Sequence, residues 1–198
     1  MRAFVAVDLP EAVKAAISDQ QRAFRTALSA GRGREDDFKW TRPEAIHLTL
    51  KFLGEISARQ ATQVTEALEG LESFEPFAVE VKGFGFFPNA SRPHVFWVGV
   101  EAPPVLGQLA NRVETAMERL GFPAEGRTFS PHLTLARFKV PRPQPELVAL
   151  IEFQREFTLG CFEVSGFFLF DSKLSPQGAQ YRKIAHFPND ESWKRENG

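Results

Sequence analysis

Apolar and polar residues alternate in two stretches that repeat the same four residues, His47-Leu48-Thr49-Leu50 and His132-Leu133-Thr134-Leu135. In a strand, positions two apart share a face. Each stretch therefore predicts leucines turned into a core and a His-Thr face turned away from it. Upstream, residues 4–7 form a near-continuous apolar run, which suits a strand covered on both faces. Pro10 and Glu11 then open a helix with Val13, Ile17, Phe24 and Leu28 on one stripe. Residues 31–37 read as a solvated loop of mixed charge, followed by a short strand at 38–40 and the first His-Thr strand at 46–53.

Ser57 with Gln60 is a capping-box signature for a helix whose inward stripe is Ala61, Val64, Leu68 and Leu71. Residues 77–87 predict a strand interrupted at Gly83 and Gly85, and residues 94–100 predict another. Pro103-Pro104 opens a helix with Leu106, Leu109, Val113, Met117 and Leu120 inward and Gly121 at its end. The second His-Thr strand follows Ser130-Pro131. A stiff connector at 141–145 leads into a helix using Leu147, Val148 and Ile151. One strand over 157–170, a turn at 175–178 and a last strand at 180–187 complete the pattern, with a polar, frayed tail at 189–198.

Read back, this order is a repeat. Strand, helix, His-Thr strand, helix and strand run twice, over about 2–92 and 94–187. Phe4-Val5-Ala6-Val7-Asp8-Leu9-Pro10 is echoed by Phe96-Trp97-Val98-Gly99-Val100-Glu101-Ala102-Pro103, and Val81-Lys82-Gly83-Phe84 by Val164-Ser165-Gly166-Phe167. The expectation is a single domain over 1–188, built of two interleaved lobes about a pseudo-two-fold, with both His-Thr faces lining one central cleft.

Composition narrows the function. A formal net charge of −1 excludes coating nucleic acid by bulk electrostatics but leaves room for recognition of one phosphate. One cysteine excludes an internal disulfide and, with four scattered His, a Cys-rich metal site. The N-terminal apolar run is too short for a signal peptide or a membrane span, so a cytoplasmic protein is expected. With twenty Phe against one Tyr, the aromatic content reads mostly as core.

Two His and two Thr facing one cleft suit phosphate-ester chemistry by general acid–base catalysis: a neutral imidazole takes a proton from water and a charged one protonates the leaving oxygen. Thr49 and Thr134 can donate to the non-bridging oxygens as charge builds. No Gly-x-Ser-x-Gly elbow is present, and zinc needs three or four convergent ligands. No metal and no cofactor are therefore expected. His94 and His186 stand at strand ends outside the motif, with structural or surface roles.

The paired motifs, the openings Arg2-Ala3-Phe4-Val5-Ala6-Val7-Asp8-Leu9-Pro10 and His47-Leu48-Thr49-Leu50-Lys51-Phe52-Leu53-Gly54-Glu55, and Pro131-His132-Leu133-Thr134-Leu135-Ala136-Arg137 resemble the 2H phosphoesterases. Within that superfamily the chain is similar to the RNA 2′,3′-cyclic 3′-phosphodiesterases, once called 2′-5′ RNA ligases. The resemblance implies a bilobal α+β fold of two mainly antiparallel sheets with helices outside. It also implies metal-independent hydrolysis of RNA 2′,3′-cyclic phosphate ends, or of the corresponding nucleotides, to 2′-phosphates. It casts His47 as acid, His132 as base, Thr49 and Thr134 as phosphate donors and Arg137 as a further phosphate ligand. No membrane and no obligate protein partner are implied. Two alternatives stay open, RNA 2′-5′ end joining and non-catalytic binding of RNA ends.

Strand parity complicates one carry-over. Arg137 is five residues beyond His132, on the leucine face of a regular strand, and reaches a phosphate only if the strand twists or bulges. Its counterpart in the first motif is Phe52, which then either turns to the cleft to stack on a base or fills the core. Lys51 has the parity of the His face and is a further candidate for phosphate contact.

Overall fold

A computed structural model describes residues 1–30, 35–154, 157–175 and 178–188. Its strands form two antiparallel sheets. The first has the order β3-β1-β8-β9, with β1 at Arg2–Val7, β3 at Leu48–Glu55, β8 at Phe167–Ser175 and β9 at Gly178–Phe187. The second has the order β2-β6-β5-β4-β7, with β2 at Phe38–Trp40, β4 at Phe77–Phe87, β5 at Val95–Glu101, β6 at His132–Phe138 and β7 at Thr158–Val164. Each sheet takes strands from both halves of the chain.

Four helices, among the described residues, cover these sheets: α1 at Glu11–Ala30, α2 at Ala58–Glu69, α3 at Pro104–Arg119 and α4 at Pro145–Glu152. α1 follows a strand of the first sheet but packs on β7 of the second, whereas α3 follows a strand of the second and packs on β3. The stripe of α1 is buried as the spacing predicts, at Val13, Ile17, Phe24 and Leu28. The capping box of α2 is present in full: Gln60 N donates to Ser57 Oγ at 3.2 Å and Ser57 N to Gln60 Oε1 at 2.9 Å. None of the helices is long and apolar enough to cross a membrane, among the described residues.

Leu48 and Leu133 are completely buried, so the leucine face of each motif strand does enter the core. Truncating either to Ala removes packed methyls that nothing replaces, at about 2–5 kcal/mol. β1 is buried on both faces because it has a core on each side. Ala3, Val5 and Val7 join the main core, while Phe4 and Ala6 join a small aromatic layer with Phe170, Phe168 and Tyr181.

The structure corrects the sequence pattern in four places. The run over 157–170 is two strands in different sheets, β7 and β8, broken at Ser165-Gly166. A Cβ on Gly166 would strike His186 Nε2 and lie 2.8 Å from the carbonyl oxygen of Phe187, so the crossing needs glycine. Leu120 is not inward but 36% exposed. Gly121 (φ +86°) reverses the chain, Gly121 N donates to Glu118 O and Phe122 N to Met117 O, and Phe122 takes the core place instead. Asp37 is not solvated: it is buried and held by the guanidinium of Arg142 and by Gln144 Nε2 at 3.1 Å. Lys51 does not face the cleft as its parity predicts but is buried. Residues 31–34 of the charged loop, the turn at 176–177 and the tail at 189–198 lie outside the described residues.

Candidate active site

Both motif strands carry the same irregularity at the same place. In β6, Thr134 pairs with Trp97 and Ala136 with Phe96, which leaves Leu135 as an extra residue. In β3, Thr49 pairs with Ala6 and Lys51 with Val5, which leaves Leu50 extra. Each bulge lies three residues after its histidine. It places two consecutive residues on the core side, Leu50 with Lys51 and Leu135 with Ala136, all buried. The next residue then returns to the histidine's face. Phe52 and Arg137 thereby line the same cleft as His47, Thr49, His132 and Thr134.

Lys51 is correspondingly turned away from the cleft. It is 2% exposed, and its ammonium donates to Glu114 Oε1 at 2.7 Å and to the Pro123 carbonyl at 2.6 Å. A buried ammonium requires such partners, and the bulge delivers Lys51 to Glu114 on α3 and to the Pro123 carbonyl just beyond that helix. It has no access to a phosphate in the cleft.

The cleft encloses about 500 Å³, within the usual span of small-ligand sites, roughly 300–1,000 Å³. β3 and β6, from different sheets, touch each other, and both contribute to its lining. Among the described residues its lining includes two imidazoles, the threonines and two arginines, Arg2 and Arg137, and no carboxylate. The cleft lining therefore carries positive charge although the chain as a whole does not. His94 is exposed at the start of the β5 hairpin and His186 lies against Phe168 on β9; neither lines the cleft. Among the described residues, no three His, Cys, Asp or Glu side chains converge as a metal site would require.

The two imidazoles are held alike but sit in different surroundings. His132 Nδ1 lies 2.7 Å from the carbonyl of Ser130, two residues back, which leaves Nε2 for the cleft. His47 hydrogen-bonds the carbonyl of Ala45, also two residues back. His47 precedes the first residue of β3 and stacks on Phe4, ring centroids 4.4 Å apart, with the edge of Tyr181 at 5.1 Å. Burial in this aromatic layer pushes its pKa down to about 4, against the opposing pull of Asp8 and the Ala45 carbonyl. His132 meets Phe87 edge-on at 4.8 Å. Its pKa is lowered as well, by burial first and by the nearby Arg137 guanidinium, while the Ser130 carbonyl opposes.

Phe4, Tyr181 and Arg2 line the cleft without having been singled out from the sequence. Phe4 reads from the sequence as part of a strand covered on both faces, and nothing in an apolar run marks which face meets a ligand. Tyr181 carried a signal, as the single Tyr among twenty Phe. A phenol retained where the chain otherwise uses Phe is a polar handle beside apolar surface.

The sequence model of the LigT-like phosphoesterase family matches the chain twice, at residues 7–97 and 98–181. An RNA 2′,3′-cyclic phosphodiesterase from Methanothermobacter thermautotrophicus is 32% identical over 188 residues, covering 94% of this chain and 98% of its own. The crystal structure of a Thermus thermophilus protein superposes with a TM-score of 0.73 at 33% identity, over 94% of this chain and 97% of the other. Escherichia coli LigT in complex with 3′-AMP superposes with a TM-score of 0.71 at 25% identity, over 94% and 96%. The two family matches fall one on each half of the chain, and each half brings one imidazole to the cleft; the chain belongs to the LigT-like phosphoesterase family.

Proposed function

We propose that this protein hydrolyses the 2′,3′-cyclic phosphate at RNA ends to a 2′-phosphate, by acid–base catalysis between His132 and His47 and without a metal ion. The observation that carries the reading is the cleft lining: one imidazole and one motif threonine from each half around a space with arginine and, among the described residues, no carboxylate. The relatives named RNA 2′,3′-cyclic phosphodiesterase support the substrate. Two imidazoles fall short of the donor set of a zinc centre.

In the proposed reaction water attacks phosphorus opposite O3′. His132 takes the proton of the water, the P–O3′ bond breaks, and His47 protonates O3′, leaving a 3′-hydroxyl and a 2′-phosphate. Arg137 suits His132 to the base role, because its positive charge favours the neutral imidazole. Thr49, Thr134 and Arg137 donate to the non-bridging oxygens, where charge grows in the transition state. Phe52, 58% exposed at the cleft, offers a face for the base.

His47 presents a difficulty for its role, since a group with a pKa of about 4 is neutral in the free protein at pH 7. The phosphodiester anion resolves it: a negative charge placed beside His47 stabilises the imidazolium and raises its pKa on binding. The acid is thus charged by its own substrate. The test is a product assay on an RNA ending in 2′,3′-cyclic phosphate, with EDTA present. The expected product is a 2′-phosphate end. A 2′-5′ linkage would instead mark a joining enzyme, and retention of unchanged RNA a binding protein.

A further inference from the structure

The cleft holds more positive charge than one cyclic phosphate needs. Across the first sheet, Arg2 pairs with Ser172 and Ser172 with Tyr181, so these three side chains stand in one row on the cleft face. All three line the cleft. Arg2 is two residues from Phe4, on which His47 stacks, and lies about 7 Å further along the strand. Arg42, in the loop after β2, reaches the same edge, where its Nη2 donates to the Ala179 carbonyl at 2.7 Å. Ala179 itself lines the cleft.

Neither Arg2 nor Arg42 has a carboxylate partner among the described residues. The acid opposite Arg2 in register, Glu55, is 78% exposed and lies 3.7 Å from the amino group of Met1. The lysines on the far side of His47 differ in this respect: Lys14 and Lys183 are both engaged by Asp8, at 3.2 and 2.7 Å. Tyr181 feels the charges of Arg137, Arg2 and Arg42 together, though burial still leaves its pKa raised. The three arginines come from the second sheet, the first sheet and a loop, and Tyr181 lies within the field of all of them.

We propose that Arg2 and Arg42 form a subsite for the backbone phosphate immediately 5′ of the terminal ribose. The protein then prefers a cyclic phosphate at the end of an RNA chain to a free nucleoside 2′,3′-cyclic phosphate. This rests on the hydrolase reading above. With Thr49, Thr134, Arg137 and the histidines around the reacting phosphate, a second anion one nucleotide away is what two further guanidiniums, without a carboxylate partner among the described residues, can recognise. Ser172 adds a hydroxyl donor between Arg2 and Tyr181. Phosphate contacts of this kind position a strand without reading its sequence.

The experiment compares three substrates: a nucleoside 2′,3′-cyclic phosphate, a dinucleotide ending in 2′,3′-cyclic phosphate, and the same dinucleotide with an uncharged methylphosphonate linkage. The native protein should show a kcat/KM on the charged dinucleotide about tenfold above the other two, the scale of a charge-assisted hydrogen bond. Arg2→Ala and Arg42→Ala should shrink that ratio, chiefly through KM. Arg2→Lys should keep part of it. The methylphosphonate comparison needs no variant to fold. Equal turnover of the charged and uncharged dinucleotides overturns the subsite and leaves the hydrolase reading standing. No turnover of any of the three overturns the hydrolase reading, and the subsite with it.

Discussion

Gln21 Nε2 donates to the carbonyl of Leu135 at 2.9 Å, from α1 to the extra residue of the β6 bulge, and to the carbonyl of Thr41 at 2.8 Å. A bulge interrupts the ladder and leaves backbone groups to be satisfied elsewhere. Here Gln21 and the Thr41 N–H, itself 2.9 Å from the Leu135 oxygen, do so. The bulge in turn is what directs Arg137 to the cleft. Gln21→Met keeps the volume but leaves the Leu135 carbonyl one donor short. Stability in urea unfolding should fall by about 1–3 kcal/mol. KM should rise more than kcat falls, as a misplaced Arg137 would cause. Kinetics identical to the native protein would show that the bulge stands without Gln21.

The two threonines should matter less than the two histidines. Losing one pre-organised donor to a phosphate costs about 3 kcal/mol or somewhat less, so Thr49→Ala and Thr134→Ala should retain measurable turnover. Steady-state kinetics on a cyclic-phosphate substrate, with folding matched by circular dichroism, checks this. A threonine variant as inactive as His47→Ala would place a proton-transfer role on the hydroxyl.

Acid and base are separable by the leaving group. A nitrophenyl phosphodiester expels an oxygen that needs no protonation. His47→Ala should recover much of its lost rate on that substrate, and His132→Ala should stay impaired. Recovery by His132→Ala instead would exchange the two roles.

The pH dependence of kcat/KM reports the free protein. Burial sets His47 at about 4 there and lowers His132 from 6.5. A reaction that needs His47 charged and His132 neutral then has its kcat/KM maximum on the acid side, between about 4 and 6.5. The kcat profile reports the complex, where the phosphate charge raises both groups, so its maximum should lie at higher pH. Coincident maxima above pH 7 would contradict the buried, neutral His47.

The same burial makes stability sensitive to acid. An unfolded chain protonates His47 near 6.5, whereas the folded protein holds it neutral down to about 4. Between these values the unfolded state binds the extra proton, so stability rises with pH across that window. The contribution is complete above 6.5 and lost on acidification, roughly 3 kcal/mol by pH 4. Urea unfolding at pH 7 and pH 4.5 should show a smaller acid loss for His47→Gln than for the native protein. Equal losses would mean that His47 titrates freely.

The sequence by itself determined most of the elements and the motif residues that each half brings to the cleft. Alternation in His47-Leu48-Thr49-Leu50 and His132-Leu133-Thr134-Leu135 assigned the leucines to the core, since a period of two is a property of the strand and needs no neighbour. Ser57 and Gln60 announced the start of α2 because a capping box is closed within four residues. Gly121 announced the end of α3 for the same local reason. What only the tertiary structure decided is which strand lies beside which, and therefore every departure from regular parity. The bulges at Leu50 and Leu135 arise from pairing with Ala6 and Trp97, residues far away in the chain. They reverse the faces of Lys51, Phe52 and Arg137, sending the lysine to Glu114 and the other two to the cleft. The difference between the imidazoles has the same origin. The two motifs are identical in sequence, but His47 is stacked on Phe4 beside Tyr181 whereas His132 stands beside Phe87 and Arg137. A pKa is set by the groups that surround a proton in space, and those are assembled only when the chain folds.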